Sequence, residues 1–171
     1  MSGIADERIV IPMRRRSRWT YGVLVGLDAA VISTLILILA GALSGRGFHI
    51  LADAGMAALP SMVRAATGIS AALSYLLSHT LLYMLAGVVA LALAGLADRL
   101  PPLVTGLVLV IIIIEFGFLV LTTEGQALGR FDVVTWRSLL IAHAIGDIAF
   151  AFGIVRAHPS LRQALVRGFE W

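Results

Sequence analysis

The hydrophobic pattern of the chain consists of four long apolar stretches separated by shorter polar segments. A stretch of about 18 or more apolar residues is long enough, as a helix, to cross the hydrocarbon core of a bilayer. The pattern therefore predicts four membrane-spanning helices, at residues 20–43, 71–96, 103–121 and 138–155. We predict an all-α membrane protein in which these four helices form an antiparallel bundle, with the whole chain, 1–171, as one membrane domain.

The polar segments complete this arrangement. Residues 1–18 form a basic N-terminal tail, and residues 156–171 form a C-terminal tail in which a capping-box pattern predicts a short amphipathic helix. The longest connection, residues 45–68, mixes apolar and polar side chains and contains Pro60. This composition is too polar for a span, so we predict an amphipathic segment at the outer membrane surface, between the first two spans.

Composition supports the membrane assignment. The chain is 60% hydrophobic and only 13% charged, whereas soluble domains are about 25% charged. The absence of cysteine excludes disulfides, thiolate metal sites and thiol catalysis. No nucleic-acid recognition motif accompanies the net charge of +3, so the expected surroundings are the lipid bilayer and other membrane proteins, not nucleic acid.

The arginines predict the orientation of the chain. All thirteen basic residues are arginine, and with the N-terminus inside, nine lie on the cytoplasmic side and four outside. Such an excess of positive charge on the cytoplasmic side is typical of membrane proteins. We therefore expect a protein of the bacterial cytoplasmic membrane, with both its N-terminus and its C-terminus in the cytoplasm.

Small residues recur every three or four positions on the first two predicted spans. This spacing allows the backbones of two membrane helices to approach closely. The residues are Gly22, Gly26 and Ala30 on the first span, and Gly87, Ala90 and Ala94 on the second.

Four ionisable residues fall at similar predicted depths in the outer half of the membrane: His79, Glu115, His143 and Asp147. Charged groups inside a bilayer are costly, so they usually face the interior of a bundle. We predict that these side chains form one polar layer, with Tyr83 on the same helix face as His79.

Four interpretations of this layer remain open. The first is a polar network that holds the helices together. Alternatively, His79, Glu115, His143 and Asp147 are a ligand set suited to zinc, iron or manganese. His79 and His143 are also candidate axial ligands of a haem, although the two carboxylates count against it. Lastly, chains of Glu, Asp and His relay protons in pumps and transporters.

Four further polar residues need an interpretation. Asp28, on the first span, is predicted either as a buried partner of a hydroxyl such as Ser33 or as an inner step of a proton relay. His49 and Asp53 repeat the spacing of His143 and Asp147, which indicates either coincidence or a lid over the layer. His158, beside a proline, is predicted as a solvated turn residue.

Three short segments, 22–30, 79–87 and 142–146, carry a resemblance to a known family. They are similar to an uncharacterised family of small prokaryotic four-helix membrane proteins. That family has a small-residue first span and a histidine followed by a spaced glycine in spans two and four. The resemblance covers about residues 20–156 and implies the four-helix fold but no activity. Asp147 departs from the pattern.

The sequence contains no phosphate loop, no nucleophile elbow and no zinc-protease motif. We therefore expect a non-catalytic accessory or structural subunit of a larger bacterial membrane complex, of respiratory or photosynthetic type. It would associate with other membrane subunits or with itself. The alternatives are a metal- or haem-binding redox protein and a proton-coupled transporter or relay component.

Overall fold

The computed structural model describes residues 18–58, 68–97, 120 and 132–158. These residues form four helices and, within the ranges described, no strand: α1 (Arg18–Leu43), α2 (His49–Ala58), α3 (Gly68–Ala97) and α4 (Val133–Ala157). The all-α prediction is confirmed. The predicted third span, 103–121, lies outside the described residues, as do both tails beyond residues 18 and 158.

Three of these helices are long and apolar enough to cross a membrane: the stretches Trp19–Leu43, Gly68–Leu96 and Val133–Ala157. Each has 25 or more residues, so each is at least about 37 Å long, which exceeds the hydrocarbon thickness of about 30 Å. Three of the predicted spans are therefore supported by helices of suitable length. With 10 residues, α2 is only about 15 Å long and cannot cross the bilayer.

The start of α4 corrects one boundary. The sequence predicts a polar loop over residues 122–137, but α4 begins at Val133. The reason is a helix cap: the carboxylate of Asp132 accepts a hydrogen bond from the backbone N–H of Thr135 at 2.7 Å. An aspartate at this position satisfies one of the free N–H groups of the first turn, so the helix begins before the apolar run does.

α1 is the central helix of the described bundle, since it packs extensively against both α3 and α4. Its contacts run in reverse order along the sequence. Gly22 lies against Gly87 of α3 and Gly26 against Tyr83, so α1 and α3 are antiparallel. On the other side, Gly153 of α4 lies against Val25, and the earlier Gly146 against Ser33. α1 is therefore antiparallel to both neighbours, and α3 and α4 run in the same direction.

The small residues of α1 and α3 allow direct backbone contact. A Cβ atom built at Gly26 would lie closer than 3.0 Å to the backbone of Tyr83 and Met84. A Cβ atom at Gly87 would in turn meet the carbonyl oxygen of Gly22. The close approach predicted from the small-residue spacing is confirmed, and it gives the packing contacts that hold membrane helices together.

Two apolar cores fill the bundle at different levels. The first end of the bundle, where α1 begins, has a core that includes Val25, Tyr83 and Ile154. At the second end, where α1 ends, the core includes Leu37 and Tyr75 together with residues of α2. The short helix α2 thus packs its apolar face onto the second end. This agrees with the amphipathic segment predicted between the first two spans.

Arg46 connects α2 to α4 at the second end of the bundle. Its guanidinium forms an ion pair with Asp53 of α2 at 3.1 Å and donates a hydrogen bond to Thr135 Oγ1 of α4 at 2.9 Å. It also forms an ion pair with Asp132, the cap of α4. Gly45 and Gly47 flank Arg46 with positive φ angles of 74° and 53°, which glycine adopts at low cost. This turn brings α2 back over the end of α1.

Replacing Gly26 with alanine tests the backbone contact. Because the new Cβ would collide with the α3 backbone, we expect Gly26→Ala to lower the free energy of unfolding by about 1–3 kcal/mol. Unfolding would be followed by circular dichroism during titration of detergent micelles with SDS. Gly68→Ala is the control, since its Cβ would meet only Ala52 Cβ, at 3.8 Å. Equal stability of the two variants would contradict a tight α1–α3 contact.

Candidate functional site

The candidate site is a group of five side chains between α3 and α4, here called the His–Tyr cluster. Its members are Tyr75, His79, Tyr83, His143 and Asp147. Residues four apart lie on the same side of a helix. α3 therefore directs two tyrosines and a histidine to one side, and α4 directs a histidine and an aspartate towards them.

The rings of the cluster contact one another in sequence. The Tyr75 ring stacks on the His79 ring with 5.0 Å between their centroids. The His79 ring contacts His143 edge to face, also at 5.0 Å, and Tyr83 at 4.9 Å. Both tyrosines and His79 are buried. The cluster is thus a continuous set of aromatic contacts that passes from one helix to the other.

A hydrogen bond connects the cluster to its carboxylate. The Tyr83 hydroxyl donates to Asp147 Oδ1 at 2.7 Å. This bond joins α3 to α4, two helices whose backbones approach each other at few positions because each packs mainly on α1. A hydrogen bond between a hydroxyl and a carboxylate is stronger than one between neutral groups. The bond therefore adds a polar connection to the ring contacts between α3 and α4.

Gly146 makes room for this hydrogen bond. A Cβ atom at Gly146 would lie 2.9 Å from Ser33 Cβ and 3.0 Å from the Tyr83 hydroxyl. A larger residue would therefore push α4 away from both α1 and α3. The glycine beside Asp147 allows the carboxylate to reach the tyrosine.

Several polar atoms at this level are buried and have no hydrogen-bond partner within the part of the chain that the structure describes. They are Ser33 Oγ, Tyr75 Oη, His79 Nε2 and Asp147 Oδ2. A buried polar group without a partner costs about 1–3 kcal/mol. The cluster is therefore an incompletely satisfied network, with further capacity to bind a hydrogen-bonding group or a proton.

The cluster brings together three of the four predicted layer residues. His79 and His143 are in ring contact, and Asp147 joins them through Tyr83 and not through a histidine. Glu115, the fourth, lies outside the described residues. The prediction that Tyr83 shares a face with His79 agrees with their ring contact.

The two histidines are not arranged as opposed haem ligands. Their rings touch edge to face, which leaves no space between them for a porphyrin plane. In the described ranges, no group of three or more His, Cys, Asp or Glu side chains has the arrangement of a metal site. The predicted metal set of His79, Glu115, His143 and Asp147 includes a residue beyond these ranges and stays a prediction.

The other polar positions differ from their predicted roles. Asp28 is exposed on the outside of α1 and does not pair with the buried hydroxyl of Ser33. His49 is exposed, while Asp53 pairs with Arg46. His158 was predicted as solvated but is buried at the end of α4, where its backbone N–H donates to the Ile154 carbonyl.

Two residues at this level were not predicted from the sequence. Tyr75 precedes His79 by four residues, so the same spacing that identified Tyr83 also identifies it. Ser33 gives no such signal, because a serine in an apolar helix commonly bonds to its own backbone. Its position became evident only from the packing of α1 against Gly146.

The two tyrosines offer a matched test of the network. Tyr83→Phe removes the partner of Asp147, so we expect the free energy of unfolding to fall by about 0.6–1.7 kcal/mol, the range for hydrogen bonds between membrane helices. Tyr75→Phe removes a hydroxyl that lacks a partner among the described residues, so it should leave stability unchanged or raise it. The reverse order, measured by SDS titration, would contradict this assignment of hydrogen bonds.

Comparison of the chain with protein-family models, with curated proteins and with solved structures finds no match. The similarity to small prokaryotic four-helix membrane proteins therefore stays a prediction, and the candidate function rests on the residues of this chain.

Proposed function

We propose that this protein is a non-catalytic subunit of a larger bacterial membrane complex, and that the His–Tyr cluster holds its helices in register. The observation that carries this proposal is the Tyr83–Asp147 hydrogen bond between two helices whose backbones approach each other at few positions. Polar side chains serve this purpose in membrane bundles, where apolar burial does not drive helices together.

The proposal includes a four-span bundle. α3 passes Gly22 at Gly87 and ends at the first end of the bundle, whereas α4 begins at the second end, beside Arg46. The chain between Ala97 and Asp132 has to connect these two ends. The apolar stretch 103–121 has about the length that one crossing requires, so a third span at this position accounts for the connection.

The orientation follows from charge. The arginines on the N-terminal side of the proposed bundle outnumber those on the other side by nine to four. This difference supports an N-terminus and a C-terminus in the cytoplasm of a bacterial cell. The second end of the bundle, with α2 and Arg46, would then face outward.

A second candidate function is supported by the atoms without partners. The five residues of the His–Tyr cluster form a continuous series of contacts. Three of them, Tyr75, His79 and Asp147, each have a buried polar atom that lacks a hydrogen-bond partner among the described residues. A network that served only to hold helices would be expected to satisfy these atoms. The same series is suited to carry protons across part of the membrane.

Cysteine labelling tests the orientation. The chain has no native cysteine, so Ser2→Cys and Gly129→Cys each supply a single reactive site. In intact cells, a membrane-impermeant maleimide should label Gly129→Cys and should label Ser2→Cys only after the membrane is opened. Labelling of Ser2→Cys in intact cells would show the opposite orientation.

Replacing both cluster histidines separates the two candidate functions. Glutamine keeps hydrogen-bonding capacity but does not titrate, so a subunit with a structural cluster should remain folded in the His79→Gln/His143→Gln variant. Its proton permeability, measured with a pH-sensitive dye inside phosphatidylcholine vesicles, should equal that of the parent protein. His49→Gln, outside the cluster, is the control for the change of residue type.

A proton flux that the parent protein shows and the double variant loses would favour the relay and overturn the structural proposal. An absorption spectrum and metal analysis of the same purified parent would test the redox alternative. A haem band or a bound metal that disappears in the double variant would establish a cofactor site at these histidines.

A further inference from the structure

Asp28 occupies an unusual position on the outside of α1. It is exposed, while Val25, Gly26, Ala29 and Ala30 on the same helix are buried against α3 and α4. It lies 10 residues after Arg18 and 15 residues before Leu43, the ends of α1. At 1.5 Å per residue these distances are about 15 Å and 22 Å. The carboxyl group is therefore near the middle of this membrane-length helix and is directed away from the described bundle.

Nothing in the described ranges neutralises this carboxyl group. The ion pairs there belong to Arg46, and the other arginines, Arg18, Arg137 and Arg156, lie near helix ends. An acidic residue at this depth is strongly disfavoured in contact with lipid, and such residues are almost always paired or face protein. The outer side of α1 therefore requires a further contact.

The residues around Asp28 have the spacing of a helix-packing surface. Exposed or half-buried side chains recur at intervals of three or four residues, the pattern that packs one helix along another. They are Leu24, Asp28, Val31, Leu35, Leu39 and Ala42. We call this surface the Asp28 seam. A single polar residue in such a seam selects the partner and its register.

We propose that the Asp28 seam is the docking site for a membrane-spanning helix of another subunit that presents an arginine or lysine to Asp28. This inference rests on the proposed function as a subunit and names the chemistry of the partner. Charge complementarity carries it, since a basic side chain compensates the carboxylate where lipid cannot. A second copy packed symmetrically on the same seam would instead bring two carboxylates together.

Model helices provide the test. The full-length protein, carrying a fluorescent donor, is reconstituted in phosphatidylcholine vesicles with synthetic polyleucine helices of about 20 residues that carry an acceptor. One peptide has a central arginine and the other a central leucine. Energy transfer should show binding of the arginine peptide that is stronger by roughly 5- to 30-fold, the effect of one interhelical polar contact. Asp28→Leu should abolish this preference.

A matched variant tests whether the seam itself is required. Because Gly26 lies against Tyr83 and the two helices are antiparallel, Leu81 of α3 lies at about the depth of Asp28. Leu81 is also 54% exposed. The Asp28→Leu/Leu81→Asp variant keeps the composition and moves the carboxyl group to the outside of another helix. We expect it not to regain the preference for the arginine peptide.

Four results would overturn the proposal. The first is equal binding of both peptides to the parent protein, and the second is full recovery of the preference in the Asp28→Leu/Leu81→Asp variant. The third is energy transfer between two parent copies that Asp28→Leu abolishes, which would identify a second copy as the occupant. The fourth is a fluorophore on Val31→Cys that brominated lipids fail to quench in the isolated protein, which would show that the chain covers its own seam.

The result of the peptide-binding experiment is independent of the test of the proposed function. The proton-flux measurement uses the histidine variants without any peptide, and the peptide measurement uses Asp28 variants with both histidines intact. Equal binding of both peptides to the parent protein would reject the seam alone, whereas a histidine-dependent proton flux would reject the structural role of the cluster.

Discussion

The backbone contact between α1 and α3 is the constraint on which the rest of the described structure depends. With glycine at positions 22, 26 and 87, the two helices approach until main-chain atoms touch. This contact fixes Tyr83 against Gly26 and so determines the height and rotation of α3. Since α4 also packs on α1, one central helix aligns the two helices that carry the His–Tyr cluster. Dispersion contacts of this kind replace the hydrophobic effect that orders soluble cores.

Three of the spans and the common level of His79, His143 and Asp147 could be predicted from the sequence, because both follow from counting residues along a helix. A bilayer accepts long helices and disfavours charge, so the apolar runs indicated α1, α3 and α4 directly. The rotation of each helix about its axis and the pairing of side chains could not be obtained by counting residues. Asp147 accepts a hydrogen bond from Tyr83 and not from either histidine. This choice of partner depends on how α3 and α4 pack against α1. The boundary at Asp132 was missed because a cap depends on one side chain and not on hydropathy.

The pairing of Asp28 with Ser33, one of the two roles predicted for Asp28, is wrong for an instructive reason. The rule that intramembrane charges face inward was applied to one chain alone, so a hydroxyl such as Ser33 was taken as its partner. In the structure Ser33 is buried without a partner in the described ranges, and Asp28 is exposed on the outside of the same helix. The rule concerns the complete assembly in the membrane. The exposed position of Asp28 in the described part of one chain is the basis of our proposal that the assembly has more members.

The two sides of α1 are suited to different kinds of contact. The side with Gly22, Gly26 and Ala29 has no large side chains, so its contacts are close, numerous and made by the backbone. The outer side carries Val31 and Leu35, whose bulk keeps a neighbouring backbone at a distance. Apolar side chains there gain little from leaving lipid for another apolar surface. Affinity and register on the outer side must therefore come chiefly from the one polar group it contains.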